Sequence, residues 1–219
     1  MPVRLIKDSV SIYTGHGLLY NWVAATYAVG GASIAPVGWH LPSKIEYDTL
    51  STFLGGNAVS GGPLKETGTD HWNAPNTGAT NTSGFTGRGI GERLATGAFS
   101  GVNLFAYFWT SYSIGGFPSL AVAVKLSNTS TVFDTLVSTE RIRGKSIRLI
   151  KDDALNYGSM TDYDGNVYTT SKIGTQVWMD TNLKVTHYND GTLIPELTAA
   201  AAWIADTAGA RCWYNNIPE

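Results

Sequence analysis

The chain is poor in cysteine and in charge, and it has no long apolar run. Cys212 is the one cysteine among 219 residues, which excludes an internal disulfide and a four-cysteine zinc site. Charged residues make up 15% of the sequence and the net charge is −2, so we expect no nucleic-acid partner. No apolar run approaches the roughly 20 residues that cross a bilayer, and we expect no membrane insertion.

The N-terminal sequence also lacks the features of a secretory signal. Met1-Pro2-Val3-Arg4 is followed by neither an apolar core nor a small-residue cleavage site. We therefore expect that the chain is not exported by a signal of its own. It is either a fragment of a longer protein, or it reaches the outside of the cell in another way, for example in a virion released by lysis.

The chain is instead rich in apolar and aromatic residues. Hydrophobic residues make up 43% of the sequence, with 7 tryptophans, 11 tyrosines and 25 glycines. This composition is too apolar for a disordered chain and too poor in charge for a helical bundle. Aromatic residues are expected to anchor the core. Cys212, between Arg211 and Trp213, is predicted to be a buried, inert thiol, with a reactive or intermolecular thiol as the alternative.

One short sequence occurs twice. Arg4-Leu5-Ile6-Lys7-Asp8 is repeated as Arg148-Leu149-Ile150-Lys151-Asp152, and each copy follows a β-branched residue, Val3 or Ile147. Both copies have the composition of a β-strand. Two copies of one strand so far apart suggest one structural position that is filled twice. We therefore interpret the chain as a repeat module cut out of register.

The clearest helix signal lies at residues 42–54. Ser43 and Glu46 are spaced as in a capping box, in which each side chain bonds to the other residue's backbone N–H. Gly55-Gly56 is expected to end the helix. The spacing predicts an apolar stripe formed by Ile45, Leu50, Phe53 and Leu54.

The rest of the sequence predicts short strands around a long loop region. Residues 55–104 are rich in Gly, Asn, Thr and Ser, and such a loop usually has a function or an organised core of its own. Strands are predicted at residues 3–7, 105–112, 120–126, 130–137, 145–151 and 211–214. Asp164-Gly165 predicts a hairpin, residues 172–179 a strand pair or bulged strand, and residues 197–205 a short helix.

Local spacing does not predict a metal site. The chain has four histidines without His-x-x-x-His spacing: His16, His40, His71 and His187. Asp162-Tyr163-Asp164-Gly165-Asn166 begins like a calcium loop, but Ile173 stands where the bidentate glutamate would be needed. These residues instead predict a turn in which aspartate side chains cap their own backbone. No metal and no cofactor is expected.

The aromatic residues between 105 and 117 support two interpretations. Alternation along a strand would bury Phe108 and place Tyr107 and Trp109 on the other face. In the first interpretation both faces of the sheet are covered, and these residues belong to the core. In the second, they form a recognition surface, because tyrosine and tryptophan give a large contact area for little loss of entropy.

Longer stretches of the sequence match one known family. They are Leu19-Tyr20-Asn21-Trp22-Val23-Ala24-Ala25, Gly38-Trp39-His40-Leu41-Pro42-Ser43, Leu64-Lys65-Glu66-Thr67-Gly68-Thr69-Asp70-His71-Trp72-Asn73, Asp164-Gly165-Asn166-Val167-Tyr168, Ile173-Gly174-Thr175-Gln176-Val177-Trp178-Met179 and Cys212-Trp213-Tyr214-Asn215-Asn216. Together these stretches resemble the Fibrobacter succinogenes major paralogous domain, a module of bacterial surface proteins. In that family the Asp-Gly-Asn-Val-Tyr half comes first. Here it comes last, so the chain resembles a circularly permuted module or a tandem array read half a repeat out of frame.

The resemblance implies an α+β fold of the C-type-lectin-like class, with small twisted antiparallel sheets, one or two helices and long loops. Gly38-Trp39-His40-Leu41-Pro42-Ser43 also resembles the formylglycine-generating-enzyme-like branch of that fold. The oxidases of this branch rely on active-site cysteines, which nothing matches here, so we expect no enzyme. The expected regions are an N-terminal strand at 1–15, a core half at 16–152 and a complementing β-rich half at 153–219.

The resemblance also implies non-catalytic display or adhesion. Related modules serve as receptor-binding and display proteins, with the binding face on the last strands and loops. By that analogy the expected binding residues are Tyr107, Trp109, Tyr112, Phe117, Asn128, Phe133, Asp134, Glu140 and Arg141. We expect a bacteriophage virion protein (fibre, tail or head decoration) that binds a glycan or protein receptor. The alternative is a bacterial cell-surface lipoprotein module, and an oxidase-like enzyme is a third hypothesis.

The expected partners also include other subunits of the same assembly. If the two ends of the module are adjacent, its two halves close within one chain. Otherwise residues 161–216 complete the sheet of a neighbouring subunit by strand exchange. The copy of the repeat at residues 3–8 is expected to be a second strand at this seam, either on a sheet edge or in a neighbouring subunit.

Overall fold

The structure, a computed structural model, describes residues 13–27 and 29–219 of the chain. These residues are mostly β, with twisted antiparallel sheets and few helices, which is compatible with the predicted α+β class. The strands are β1 (Leu19–Tyr20), β2 (Trp39–His40), β3 (Ile90–Arg93), β4 (Phe99–Val102), β5 (Phe105–Ser113), β6 (Leu120–Ser127), β7 (Asp134–Glu140), β8 (Ile150–Lys151), β9 (Ser159–Thr161), β10 (Val167–Ile173), β11 (Gln176–Met179) and β12 (Arg211–Cys212). The helices are α1 (Trp22–Ala25), α2 (Lys44–Phe53), α3 (Gly61–Leu64) and α4 (Ala200–Ala205), with 3-10 turns at Val29–Gly31 and Tyr214–Asn216.

The described strands form two five-stranded sheets and one two-stranded sheet. The first large sheet has the order β2-β8-β11-β10-β9 and is antiparallel. The second has the order β4-β3-β5-β6-β7 and is antiparallel except where β3 meets β5 at Gly91 and Ala106. The small sheet pairs β1 with β12.

The two halves of the chain close on each other within one chain. Strand β8, near the end of the first half, lies between β2 of the same half and β11 of the second half. The small sheet crosses the same seam, since Leu19 pairs with Cys212 and Tyr20 with Arg211. In the structure these strand pairings lie within one chain, and strand exchange with a neighbouring subunit stays a prediction.

The second copy of the repeated sequence occupies the centre of this seam. Only Ile150 and Lys151 form regular strand, so the prediction of a strand over 145–151 is too long. Residues 145–149 instead bond through their backbone to several segments: Lys145 pairs with Tyr20, the N–H of Ser146 donates to the carbonyl of Tyr107, and the carbonyl of Leu149 accepts from Met179. The buried guanidinium of Arg148 donates hydrogen bonds to the backbone carbonyls of Thr86 and Met179 at 2.9 and 3.0 Å. The first copy, with the strand predicted there, lies outside the described residues.

Helix α2 begins as predicted but buries a different face. The capping box of Ser43 and Glu46 is present. Ile45 and Phe53 are 75% and 63% exposed, so the predicted apolar stripe is wrong at both positions. The face that packs inward is spaced i, i+3, i+4, i+7, which is the spacing of one side of a helix. Its members are Tyr47, Leu50, Ser51 and Leu54.

Strand β5 separates two hydrophobic cores. Phe108 packs in one core with Phe85 and Trp178, while Trp109 packs in the other and donates from its indole Nε1 to the carbonyl of Tyr20 at 2.7 Å. Both side chains are fully buried. The interpretation of a sheet covered on both faces is therefore confirmed for this part of β5.

The long region 55–104 has the organised core that its length predicts. Trp72 is fully buried and donates from Nε1 to the carbonyl of Gly87 at 2.9 Å. The ammonium of Lys65 bonds to backbone carbonyls of the 127–130 segment. Because these carbonyls face Lys65 instead of a strand, β7 begins at Asp134, and the predicted strand at 130–137 starts too early.

Two further predictions are confirmed. Asp162 Oδ1 accepts a hydrogen bond from the backbone N–H of Asn166 at 2.9 Å, which makes the turn between β9 and β10 a capped hairpin turn. Cys212 is fully buried, and burial raises the pKa of its thiol to about 12. A thiol with such a pKa stays protonated near neutral pH and is a poor nucleophile.

His40 gives the fold a pH dependence. Its Nε2 lies 2.8 Å from Glu46 and its Nδ1 2.6 Å from Asp152. The hydrogen bond to Glu46, aided by that to Asp152 against the opposing effect of burial, raises the pKa of His40 to about 9. Because the folded pKa lies above the usual 6.5, the stabilisation is complete below pH 6.5 and is lost as the pH rises through 9.

We therefore expect His40→Gln to lower the free energy of unfolding more below pH 6.5 than above pH 9. The measurement is urea unfolding of the parent chain and the variant at a series of pH values. Taking the difference between the two cancels the effects of other titrating groups. If the difference in the free energy of unfolding stays constant across this pH range, then Glu46 and Asp152 do not raise the pKa of His40.

Candidate functional site

A cleft of about 480 Å3 lies where the two halves of the chain meet. Its walls come from the turn between β5 and β6, the residues that follow β7, the start of α1, and α4 with the loop after it. The residues lining this junction cleft are Asn21, Val23, Ala95, Pro118, Ser119, Glu140, Arg141, Ile142, Ile204, Asp206 and Thr207. Its volume falls within the roughly 300–1,000 Å3 of small-ligand sites.

Arg141 is held rigidly at the wall of the junction cleft. Its Nε donates to the carbonyl of Leu120 at 3.1 Å, and its guanidinium lies over the ring of Trp22 at 4.2 Å from the centroid. Trp22 is itself fixed, because its Nε1 donates to the carbonyl of Thr110 at 2.9 Å. Among the described residues, no hydrogen bond engages the two terminal nitrogens of Arg141, so they remain available to a ligand.

The acidic side chains of the junction cleft are already engaged. Glu140 lies 2.6 Å from Nε of Arg143, and this hydrogen bond lowers the pKa of Glu140. Asp206 accepts from Asn21 Nδ2 at 2.7 Å and from the backbone N–H of Gly209 at 3.0 Å. Among the described residues neither Arg141 nor Asp206 makes an ion pair, and Arg141 is the one positively charged side chain that lines the cleft.

Asn21 joins the two halves beneath the cleft. It is fully buried, and its Oδ1 accepts from the backbone N–H of Ala24, which caps α1, and from that of Ala210 in the second half. Its Nδ2 donates to Asp206, also in the second half. One amide thereby fixes the start of α1 against the loop after α4, so the cleft has a defined shape only when both halves are in place.

Apolar side chains lie around the charge of Arg141. Ile204 is 52% exposed on α4, and Val23 and Ile142 also line the junction cleft. The turn that supplies Pro118 and Ser119 to the cleft belongs to the hairpin that carries two exposed aromatic residues. These are Tyr112, 51% exposed, and Phe117, 58% exposed.

The structure brings four of the predicted binding residues to this region. Glu140 and Arg141 line the junction cleft, and Tyr112 and Phe117 are exposed on the adjoining β5–β6 hairpin. Their common position follows from the register of the sheet. Leu120, at the start of β6, pairs with Glu140, at the end of β7.

Three of the predicted binding residues are interior, and their assignment to an exposed face is wrong. Trp109 and Phe133 are fully buried, the latter against Tyr47 in an edge-to-face contact at 5.9 Å between centroids. Asn128 is also buried, and its Nδ2 donates to the carbonyl of Asn73 at 3.2 Å. Sequence alternation missed this because both faces of the sheet are covered. Helix α2 and the long loop region cover the face that carries Phe108, and segments from both halves of the chain cover the face that carries Trp109.

The two remaining predicted residues lie elsewhere. Tyr107 is partly buried beneath the ammonium of Lys145, which lies 4.3 Å from its ring centroid, and burial raises the pKa of Tyr107 to about 12. Asp134 pairs with Lys125 at 3.5 Å, at the end of β7 opposite to Glu140. Glu140 lies six positions after Asp134 along the strand, a span of roughly 20 Å. The two carboxylates therefore lie on different surfaces.

Sequence reasoning missed the contribution of the second half to this site. Ile204 was expected only as part of a short alanine-rich helix, and no role was predicted for Asp206. Asn21 and Trp22 served only to identify the family. The local sequence contains a weak signal, because an asparagine ahead of a short apolar helix is a favoured N-cap. That Asn21 also bonds across the seam depends on tertiary contacts that local sequence does not encode.

No group of three or more His, Cys, Asp or Glu side chains within residues 13–27 and 29–219 is arranged to hold a metal ion. In the same part of the chain, no helix combines the length and apolar character needed to cross a bilayer.

Comparison with known proteins identifies the family. The model of the Fibrobacter succinogenes major domain matches residues 4–151, which is more than half of the chain. The match ends at β8 and does not include residues 152–219. Neither a curated protein nor a solved structure matches the chain. The chain belongs to the Fibrobacter succinogenes major domain family.

Proposed function

We propose that this chain is a non-catalytic display or adhesion module that binds its partner through the junction cleft and the exposed β5–β6 hairpin. The observation that carries the proposal is Arg141, a fixed guanidinium with free terminal nitrogens in a cleft that adjoins the hairpin carrying the exposed rings of Tyr112 and Phe117. Arginine and aromatic residues are enriched in binding surfaces, and they dominate binding energy when a rigid scaffold presents them.

For the fold, we propose a variant of the C-type-lectin-like class. Support comes from helix α2 and the long region 55–104, which pack on a twisted antiparallel sheet, and from strands of the two chain ends that pair as β1 and β12. In this proposal the order of the halves is permuted relative to the family. An experimental structure of a family member with the usual order would test it, because the two sheets should superpose with their halves exchanged in sequence.

For the biological setting, we propose a bacteriophage virion, with a bacterial cell surface as the alternative. Support comes from the single, buried cysteine, because a fold that uses no disulfide needs no oxidising compartment to form. In this setting the partners are neighbouring virion subunits and a glycan or protein receptor on the host. Capsid or tail genes beside the coding sequence would support the virion, and an upstream lipobox in the full reading frame would support the cell surface.

We also propose that the chain is not an enzyme. The thiol of Cys212 is buried with a raised pKa, which supports this proposal against an oxidase that works through an accessible cysteine. A stoichiometric metal in the purified protein together with thiol-dependent oxidase activity would overturn it.

The display proposal predicts the effect of a double substitution. We expect Tyr112→Ser combined with Phe117→Ser to weaken cell binding at least tenfold, since both changes remove exposed aromatic contact area. Fluorescently labelled protein is incubated with a panel of bacterial strains, and binding is measured by flow cytometry. The matched control is Tyr157→Ser with Tyr163→Ser, two exposed aromatic residues away from the junction cleft, which should bind like the parent. Equal binding by both double variants, or no binding to any strain, would contradict the proposal.

A further inference from the structure

We propose that the junction cleft binds the C-terminus of a polypeptide, with the terminal carboxylate on Arg141 and an apolar last side chain between Val23, Ile142 and Ile204. This inference rests on the proposed function, because it names the class of partner for the same site. It is carried by two features of the cleft, namely the free fork of an already oriented arginine and the aliphatic character of the surrounding wall.

The first feature selects a carboxylate. A guanidinium presents parallel N–H groups in a fixed fork that matches the two oxygens of a carboxylate. In Arg141 the bond from Nε to the Leu120 carbonyl and the contact with Trp22 fix the plane of this fork. Little side-chain entropy is therefore lost when an anion binds. Cation–π contact also keeps one face of the guanidinium away from water.

The charges around Arg141 allow an anion to approach. Glu140 is paired with Arg143, and Glu92, which Arg143 reaches at 3.0 Å, is also paired with Lys145, so two cations balance the two carboxylates. The carboxylate of Asp206 is occupied by Asn21 and by backbone N–H groups. An incoming carboxylate thus meets the unpaired positive charge of Arg141. The acidic side chains near Arg141 are already bonded to other groups.

The second feature favours a peptide over a sugar. Sugar sites usually offer a free aromatic face or several converging polar side chains, but the ring of Trp22 is covered by Arg141. The walls that remain free are aliphatic and fit an apolar side chain. Ser119 and Thr207 also line the cleft, and in the described part of the chain their hydroxyls make no hydrogen bond. They are suited to bond the backbone of the final residues.

The test uses fluorescent hexapeptides and the full chain, with binding followed by fluorescence anisotropy. One peptide ends in leucine with a free carboxylate, the second ends in leucine amide, and the third ends in serine with a free carboxylate. We expect the first to bind at least tenfold more tightly than either of the others. This factor corresponds to about 1.4 kcal/mol for each lost interaction.

Two variants connect this preference to the cleft. Arg141→Gln should bind the leucine acid and the leucine amide equally weakly. Ile204→Glu, at a half-exposed position of α4, adds a negative charge to the wall and should weaken binding of the acid peptide at least tenfold without unfolding the chain. Lys125→Gln, which removes a positive charge at the far end of β6, is the matched control and should bind like the parent. Thermal unfolding checks that each variant is folded.

The possible outcomes separate this inference from the display proposal. Equal binding of acid and amide, or no binding of any peptide at millimolar concentration, overturns the inference. Binding of an acidic sugar such as glucuronate that is lost in Arg141→Gln also overturns it, but leaves the display module intact. If cell binding survives the double change at Tyr112 and Phe117, the display proposal fails whatever the peptides do.

Discussion

Replacing Arg148 with methionine is expected to lower the free energy of unfolding by about 3–5 kcal/mol, because several buried acceptors each lose a charged donor. Its guanidinium is fully buried and donates to Asn182 Oδ1 at 2.6 Å and to the carbonyls of Phe85, Thr86 and Met179. Methionine fills much of the volume but leaves all four acceptors without a donor. A small domain has only about 5–15 kcal/mol of stability in total, so much of the variant will unfold under mild conditions.

Arg148→Lys is expected to rescue little of this loss. The four acceptors come from the long loop region and from the second half of the chain, and an ammonium cannot span them as a planar fork does. Burial lowers the pKa of Arg148 to about 9, so the side chain is still charged near neutral pH.

Urea unfolding measures the effect of both substitutions at Arg148. Lys151→Met, in the same copy of the repeat but paired at the surface with Asp153, is the control and should change the free energy of unfolding by at most about 0.5 kcal/mol. Similar losses in both variants would refute the role given to Arg148.

The second large effect is expected for Lys65→Met, which should cost about 3 kcal/mol or more, because it leaves several buried carbonyls unsatisfied. The Lys65 residue is fully buried, and its ammonium donates to the carbonyls of Thr77 at 2.7 Å, Ser127 at 2.9 Å and Ser130 at 2.8 Å. These carbonyls belong to the long loop region and to the segment between β6 and β7. The side chain of Lys65 therefore provides the hydrogen-bond donors for backbone carbonyls of these segments that no backbone N–H of the described residues satisfies.

The measurement separates local from global loss. Amide hydrogen exchange in Lys65→Met should show faster exchange in residues 61–87 and 127–133 than elsewhere, together with a lower midpoint of urea unfolding. Lys44→Met, on the exposed side of α2 and paired with Asp48, is the matched control and should exchange like the parent. Uniform exchange across the chain, with no excess in these two segments, would show that Lys65 is not their local support.

Local signals in the sequence predicted much of the fold. The capping box of Ser43, the turn at Asp162 and the strands β5 and β6 all depend on residues close in sequence, so short-range rules were sufficient. The face of α2 was not predictable in the same way. Ile45 and Phe53 are as apolar as Tyr47 and Leu50, and the buried side is decided by which surface meets the sheets.

The candidate site was predicted only in part, for the same reason. Glu140 and Arg141, two of the residues expected at a binding face, line the junction cleft because they stand at the end of β7 and just after it. Ile204 and Asp206 come from the other half of the chain, and only closure across the seam brings them to Arg141. The prediction that Asn128 and Phe133 are exposed was wrong, because the segments that cover these two residues are distant in sequence or irregular.

The pairing of β1 with β12 has a consequence for the timing of folding. Leu19 meets Cys212, so this sheet cannot form until residue 212 has left the ribosome. The central position of β8 requires β11 in the same way. Contacts so far apart in sequence make folding slow, and the early strands expose unpaired edges while they wait. The seam that shapes the junction cleft thus delays folding until both halves have been synthesised, and binding competence is acquired only at that point.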